Sequence, residues 1–263
     1  MQRSGIVTLS LIDGCSYILI GTAVSAFGTL IGAGGGIIFV PLFLFLFDWP
    51  PALVAGTSLA IVLCNALSGT AAYVRDRKIK YDAGVQFALA TVPGAVAGAA
   101  LASYFSGPLF RLSFGTLLVS IALLLFWKNL RTDAAVDESA SRDFSYSVTG
   151  GILVSLAVGL ISSIFGIGGG VIHVPAMVYL LGFPAHIAAA TSQFVLAVSA
   201  AVGVVSHALA DHVCWEYAAW FGIGALIGAQ AGARLARRIR ARRILLLLAL
   251  ALLALGVRLM IFA

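Results

Sequence analysis

The chain has 263 residues, 61% of them apolar and only 10% charged, with a mean hydropathy of +1.08. Soluble domains run at about 45–50% apolar and about 25% charged. This composition therefore excludes a soluble enzyme, a disordered chain and a nucleic-acid-binding domain, despite a net charge of +6. In so apolar a chain, basicity reports membrane topology, because Lys and Arg are retained on the cytoplasmic side.

A hydrocarbon core about 30 Å thick takes roughly 20 apolar residues per helix. The apolar segments read, in chain order, 15–31, 35–47, 52–74, 82–104, 109–127, 145–166, 169–182, 186–209, 216–236 and 244–262. The first resembles a cleavable leader, with Arg3 ahead of it and Ala23-Val24-Ser25-Ala26 as a cleavage site. Asp13 interrupts the run, however, and the apolar stretch continues beyond, so it reads as a span. Segments 35–47 and 169–182 are short, each preceded by a run of glycines and followed by a proline-containing turn. At 1.5 Å per residue, the first of them covers about 20 Å, so both read as half-helices.

Residues 128–143 are the most polar stretch, rich in Ser, Ala and charge, and read as a flexible linker. The predicted architecture is an all-α integral membrane protein with 8 full spans plus 2 short segments. Its first transmembrane repeat is placed at 1–130, a polar cytoplasmic linker at 131–144, and the second repeat at 145–263. Cys15, Cys64 and Cys214 are odd in number and widely separated, with neither a disulfide framework nor metal-ligand spacing. No metal and no cofactor is expected.

Shifted by 134 residues, the halves align without a gap. Gly32, Gly34, Gly35, Gly36, Ile38, Val40 and Pro41 fall on Gly166, Gly168, Gly169, Gly170, Ile172, Val174 and Pro175. Thr57-Ser58 falls on Thr191-Ser192, and 12 of the 27 positions from 32 to 58 are identical. From 94 to 102, 7 of 9 match, including Gly94 and Gly98 on Gly228 and Gly232. Apolar composition alone does not align a glycine run, two prolines and a Thr-Ser pair in one register.

The basic residues then orient the repeats. Loop 75–80 carries Arg75, Arg77, Lys78 and Lys80, whereas its partner around Asp211 to Trp215 has no Lys or Arg. Conversely, 102–111 carries only Arg111, and its partner 234–243 carries six arginines. Equivalent loops with exchanged charge lie on opposite sides of the membrane, which is the mark of two inverted repeats of about five hydrophobic segments each. Both termini are then expected outside the cytoplasm. The rival is a parallel 4+4 arrangement with re-entrant short segments, which would set four basic residues of one loop opposite six of the other.

Three groups of residues could carry chemistry. Gly34, Gly35 and Gly36, with their partners Gly168, Gly169 and Gly170, break a helix at membrane depth. Unwound backbone there is tolerated only where it is buried in protein or lines a cavity. The short helix after each break offers free N–H groups and a positive dipole end to an anion. The competing reading, close helix packing through small residues, suits Gly94-xxx-Gly98 and Gly228-xxx-Gly232.

The second group is Thr57, Ser58, Thr191, Ser192 and Gln193, with Asn65 further along. Such hydroxyls and amides can donate to an oxyanion or bond the carbonyls of their own helices. The third is His173, three residues past the second glycine run, where the first half has Phe39. It is read as a coupling or substrate residue, against a plain packing role. His186, His207 and His212 lie near segment ends. No acidic residue sits deep in a span, and there is no Walker A, H-E-x-x-H or G-x-S-x-G motif, so the protein is read as no enzyme.

The two copies, Leu30 to Pro41 (LIGAGGGIIFVP) and Ile164 to Pro175 (IFGIGGGVIHVP), each with a downstream Thr-Ser, resemble the TauE/SafE sulfite exporter family. That resemblance implies a multi-pass transporter of the cell inner membrane exporting sulfite, an organosulfonate or a related small anion. The residue chemistry by itself gives only a small anion. The expected partners are that inorganic or organosulfonate anion and the lipid bilayer, with no nucleic acid and with a homodimer left open.

The leading expectation is a secondary transporter working by alternating access at a central site between the two Gly-rich breaks. The alternatives are an anion channel using the same filter and an exporter of an unrelated small metabolite.

Overall fold

The computed structural model describes residues 11–47, 49–105, 107–131, 145–236, 238–239 and 241–261. Its helices, in order, are α1 (Leu11–Leu30), α2 (Gly36–Leu46), α3 (Pro51–Arg75), α4 (Tyr81–Ala102), α5 (Gly107–Arg131), α6 (Val148–Phe165), α7 (Gly170–Tyr179), α8 (Ala185–Leu209), α9 (Trp215–Ala236) and α10 (Ala241–Ile261). No strand occurs among the described residues. From 132 to 144 the expected linker lies outside them, as do Arg237 and Arg240 of the basic cluster.

Local chemistry sets these boundaries. Pro50 and Pro184 stand as N-caps, where a missing N–H costs nothing. Ser147 caps α6 by accepting from the Gly150 N–H at 3.1 Å. Gly166 ends the same helix in the left-handed conformation with φ 73°. Adding 134 to the bounds of α3 and α4 gives those of α8 and α9.

Among the described residues, α3, α4, α5 as far as Trp127, α6 and α8 are long and apolar enough to cross a membrane. So many apolar helices in one chain make an integral membrane architecture, since a helix satisfies its own backbone in lipid.

At the centre, α3 packs on α8, and most of both helices is buried. They run antiparallel: Gly56 meets His207, Leu59 meets Gly203, and Gly69 meets Gln193. The next layer is built on glycine. A Cβ added at Gly224, Gly228 or Gly232 would run into the backbone of Ile18, Thr22 or Ala26, so α9 lies tightly along α1. One at Gly94 or Gly98 would run into Leu156 or Leu160, so α4 lies along α6 in the same way. Lipid gives helices no hydrophobic reason to associate, and such close backbone contact supplies the dispersion energy instead. Finally, α5 and α10 pack on each other.

The two short helices are returning arms. Backbone atoms of Gly34 and Gly35 crowd Gly28 of α1. At the far end of α2, Phe47 and Trp49 pack on Tyr217, which touches Tyr17 near the start of α1. In the second half, Gly169 meets Val158, His173 meets Ser155, and Phe183 meets Tyr146, so α7 likewise doubles back along α6. Arms of 11 and 10 residues span about 16 Å and 15 Å, roughly half a hydrocarbon core.

Candidate functional site

The tips of these two hairpins meet. A Cβ on Gly36 would fall 2.5 Å from the Ile167 carbonyl oxygen, and one on Gly170 would collide with Gly32 and Ala33. The contact is reciprocal, because each tip approaches the other through its GGG run. The turns rest on φ of +74° and +83° at Gly34 and Gly35, and of +73° and +64° at Gly166 and Gly168, a region that costs an L-residue about 1–2 kcal/mol.

The GGG runs are not conformationally identical. Gly35 is left-handed, but its partner Gly169 has φ −56°. Beyond each tip, the first N–H groups of α2 and α7 lack intrahelical acceptors and form the positive ends of their helices.

The central helices approach the tips along one stripe each. Ala55 of α3 meets Gly166, and Ala189 of α8 meets Gly32. Val62 and Leu196, which are 134 apart, both contact Gly34 and Gly168 and so fill the space between the tips. Ser58 and Ser192 lie between these anchors, three residues past the alanines and four before Val62 and Leu196. At 3.6 residues per turn that places them on the same faces. Both hydroxyls are buried and have no hydrogen-bond partner.

Their neighbours Thr57 and Thr191 point elsewhere, about 100° round each helix. Thr57 Oγ1 accepts from the Cys214 N–H at 2.9 Å, and Thr191 Oγ1 accepts from the Lys80 N–H at 3.1 Å. Those donors are themselves 134 apart. Each Thr-Ser pair thus divides into a tie to the neighbouring outer helix and a hydroxyl on the stripe that faces the tips.

Asn65 and Gln193 form an asymmetric polar bridge. Asn65 Nδ2 donates to Ser25 O at 3.1 Å and to Thr29 Oγ1 at 2.8 Å, tying α3 to α1. Gln193 Nε2 of α8 donates to Asn65 Oδ1 at 2.8 Å. All four side chains are fully buried, and Gln193 Oε1 has no partner. The equivalent positions in the other half are Ser199 and Leu59, which cannot build such a bridge.

His173 lies on the side of α7 that faces α6 and α4. Ser155 spends its one proton on Gly151 O at 2.7 Å, so His173 Nε2–H donates to Ser155 Oγ at 3.0 Å. That leaves Nδ1 as a buried acceptor without a partner. The ring stacks on Phe87 at 6.4 Å, as Phe39 meets Phe221 at 5.8 Å in the other half.

The structure therefore brings the two glycine runs together, with Ser58 and Ser192 on the helix faces whose neighbouring turns, Ala55, Val62, Ala189 and Leu196, contact them. It sets Thr57, Thr191 and His173 behind them, and runs Asn65 and Gln193 across the α3–α8 contact. Sequence reasoning passed over Val62 and Leu196 as ordinary apolar residues. Their matched position, one turn beyond the matched serines, was the available signal.

The family model for the sulfite exporter TauE/SafE matches residues 17–259. The chain is 33% identical over 261 residues to the probable membrane transporter protein YunE of Bacillus subtilis (strain 168), covering 92% of this chain and 95% of that one. It is 31% identical to the probable membrane transporter protein ORF9 of Sinorhizobium sp, covering 93% and 92%. A probable membrane transporter protein of Xylella fastidiosa (strain 9a5c) is 28% identical, with 82% of each chain covered. No solved structure matches.

Proposed function

The chain belongs to the sulfite exporter TauE/SafE family of membrane transporters, and on that premise we propose that it exports a small sulfur-containing anion, sulfite or an organosulfonate, from a site at the meeting hairpin tips. The single observation that carries this reading is the pair of buried, partnerless hydroxyls of Ser58 and Ser192, on the helix faces whose Ala55, Val62, Ala189 and Leu196 contact the two glycine breaks. An unmade buried hydrogen bond costs about 1–3 kcal/mol. An oxyanion between the tips relieves that cost twice over, and its charge strengthens each bond. The N–H groups that open α2 and α7 complete the donor set, with Gly34, Gly35, Gly36, Gly168, Gly169 and Gly170 letting the ligand approach the backbone.

The other residues act around this centre. Thr57 and Thr191 hold α3 and α8 in register with the outer helices. Asn65 and Gln193 form the polar wall that joins α1, α3 and α8, and His173 fixes the second tip to α6. Val62 and Leu196 close the space between the tips, so the anion enters only when the tips part.

Antiparallel α3 and α8, which are repeat equivalents, support an inverted pair of repeats, residues 1–130 and 145–263. Rocking one against the other gives alternating access. On the positive-inside rule, 75–80 and 234–243 lie on the cytoplasmic side of the cell inner membrane and both termini outside. An anion leaving a negative interior is driven by about 2.3 kcal/mol per charge per 100 mV, so export needs no second ion.

The test is sulfite flux and counterflow with purified protein in liposomes. The double variant S58A/S192A should lose at least about tenfold in saturable flux, the loss of roughly one good charge-assisted hydrogen bond. Unchanged flux in that variant refutes the site, and flux without saturation or counterflow makes the protein a channel.

A further inference from the structure

Every helix leaves its last carbonyls without intrahelical donors. At the two breaks this happens inside the protein, and at each a side chain supplies a donor. Tyr73, in the last turn of α3, donates from its hydroxyl to Thr29 O at 3.2 Å, just before the first tip, where the Gly32 N–H also donates at 3.1 Å. His207, near the end of α8, donates from Nε2 to Ser163 O at 3.0 Å, just before the second. Donors and acceptors are both 134 apart. Two chemically unlike side chains therefore do one job at equivalent places.

Their environments differ in kind. A phenol donates whatever the pH in the ordinary range, whereas imidazole changes charge between about pH 5 and 8. His207 must carry its proton on Nε2 to serve Ser163, which leaves Nδ1 bare, buried and without a hydrogen-bond partner. Beside it, at 5.8 Å between ring centres, stands His212 in the α8–α9 loop. Of the other groups around it, α6 has no ionisable residue, and neither has α3 from Pro51 to Leu63. Asp211 and Glu216, in the loop and the first turn of α9, are exposed carboxylates. A second proton on His207 would create an Nδ1–H with no acceptor, next to another imidazole.

We propose that Tyr73 and His207 are positioning residues that close the helix end in front of each glycine tip, and that the second tip alone is released by acid. Protonation drives the ring from its pocket, frees the Ser163 carbonyl and loosens α6 where it turns into Gly166. The first tip keeps its cap throughout. Access through the two tips thus answers differently to pH, although their glycine runs are equivalent.

The inference builds on the transport reading, so its primary test does not use sulfite. Hydrogen exchange of purified wild-type protein, corrected for intrinsic rate, is compared at pH 7.5 and 5.5 for peptides covering 163–170 and 29–36. We expect roughly five- to tenfold faster exchange in acid at 163–170, the loss of one hydrogen bond, with no change at 29–36.

Tyrosine already caps the first break, so His207→Tyr should keep the neutral-pH protection and abolish the acid response, and His212→Gln should leave the cap in place at neutral pH. Tyr73→Phe should loosen 29–36 at both pH values. Equal acid responses in wild type and His207→Tyr overturn the proposal, as does a His207→Tyr protein loosened at neutral pH. If exchange behaves as stated but no sulfite flux is found, the substrate reading fails and the capping role stands.

Discussion

The first and second halves of the molecule share a scaffold but not a chemistry. Whatever holds the backbone in place is duplicated: the glycine tips, the Ser58 and Ser192 stripe, and the Thr57 and Thr191 ties to the outer helices. What can ionise or form an amide network is not. Asn65 faces Gln193 across the centre, while their equivalents are Ser199 and Leu59. His173 stands opposite Phe39, and His207 opposite Tyr73. A duplicated cage that closes round one small ligand needs symmetric walls, but a cycle that must distinguish one side of a membrane from the other needs an asymmetry somewhere. In the proposed cycle it resides mostly in side chains behind the tips, together with the one backbone difference between Gly35 and Gly169.

The largest expected effect strikes the shared scaffold. Gly36→Val and Gly170→Val each drive a side chain into the opposite tip, against Ile167 in one case and Gly32 in the other. Both should abolish flux in liposomes while inserted protein remains detectable, and to the same degree. Full flux in either one breaks the claim that the tips are equivalent.

The unshared chemistry comes next. Asn65→Leu strips partners from Gln193 and Thr29 in a buried site, for about 1–3 kcal/mol. Thermal unfolding in detergent should show a clear drop, and Ser199→Ala a much smaller one. Equal drops would mean that the bridge contributes nothing beyond its volume.

The smallest effect sharpens the symmetry. Thr57→Val and Thr191→Val each orphan one backbone N–H, at about 1 kcal/mol apiece. Chemical denaturation of the two variants should give matching losses, and a marked inequality would confine the symmetry to shape.

Much of this was legible in the sequence. Glycine and proline punctuate the chain, and their effect on φ and on N–H donors is local, so all ten segments and the 134-residue register could be read directly. The course of the short arms was not, because hydropathy gives the length of a segment and not its direction. The Thr-Ser pairs show the same limit in small. Adjacent residues on a helix point about 100° apart, and only the packed structure shows that threonine binds Cys214 or Lys80 while the serine hydroxyl is left buried without a partner. Tyr73 was hidden for another reason. A tyrosine near a helix end reads as an interfacial anchor until its equivalence to His207 is set beside the two carbonyls that they cap.

The exchange of packing partners carries a consequence for biogenesis. Since α1 lies along α9 and α4 along α6, the first half keeps the faces that meet α6 and α9 bare until the second has been synthesised. An N-terminal half emerging first has nothing to fill Gly94 and Gly98, and its hairpin tip has no opposing tip to rest on. The insertion machinery must therefore hold a loose set of helices until nearly the whole chain is in the bilayer, and the final interlocking becomes a late, concerted event that neither half can complete by itself.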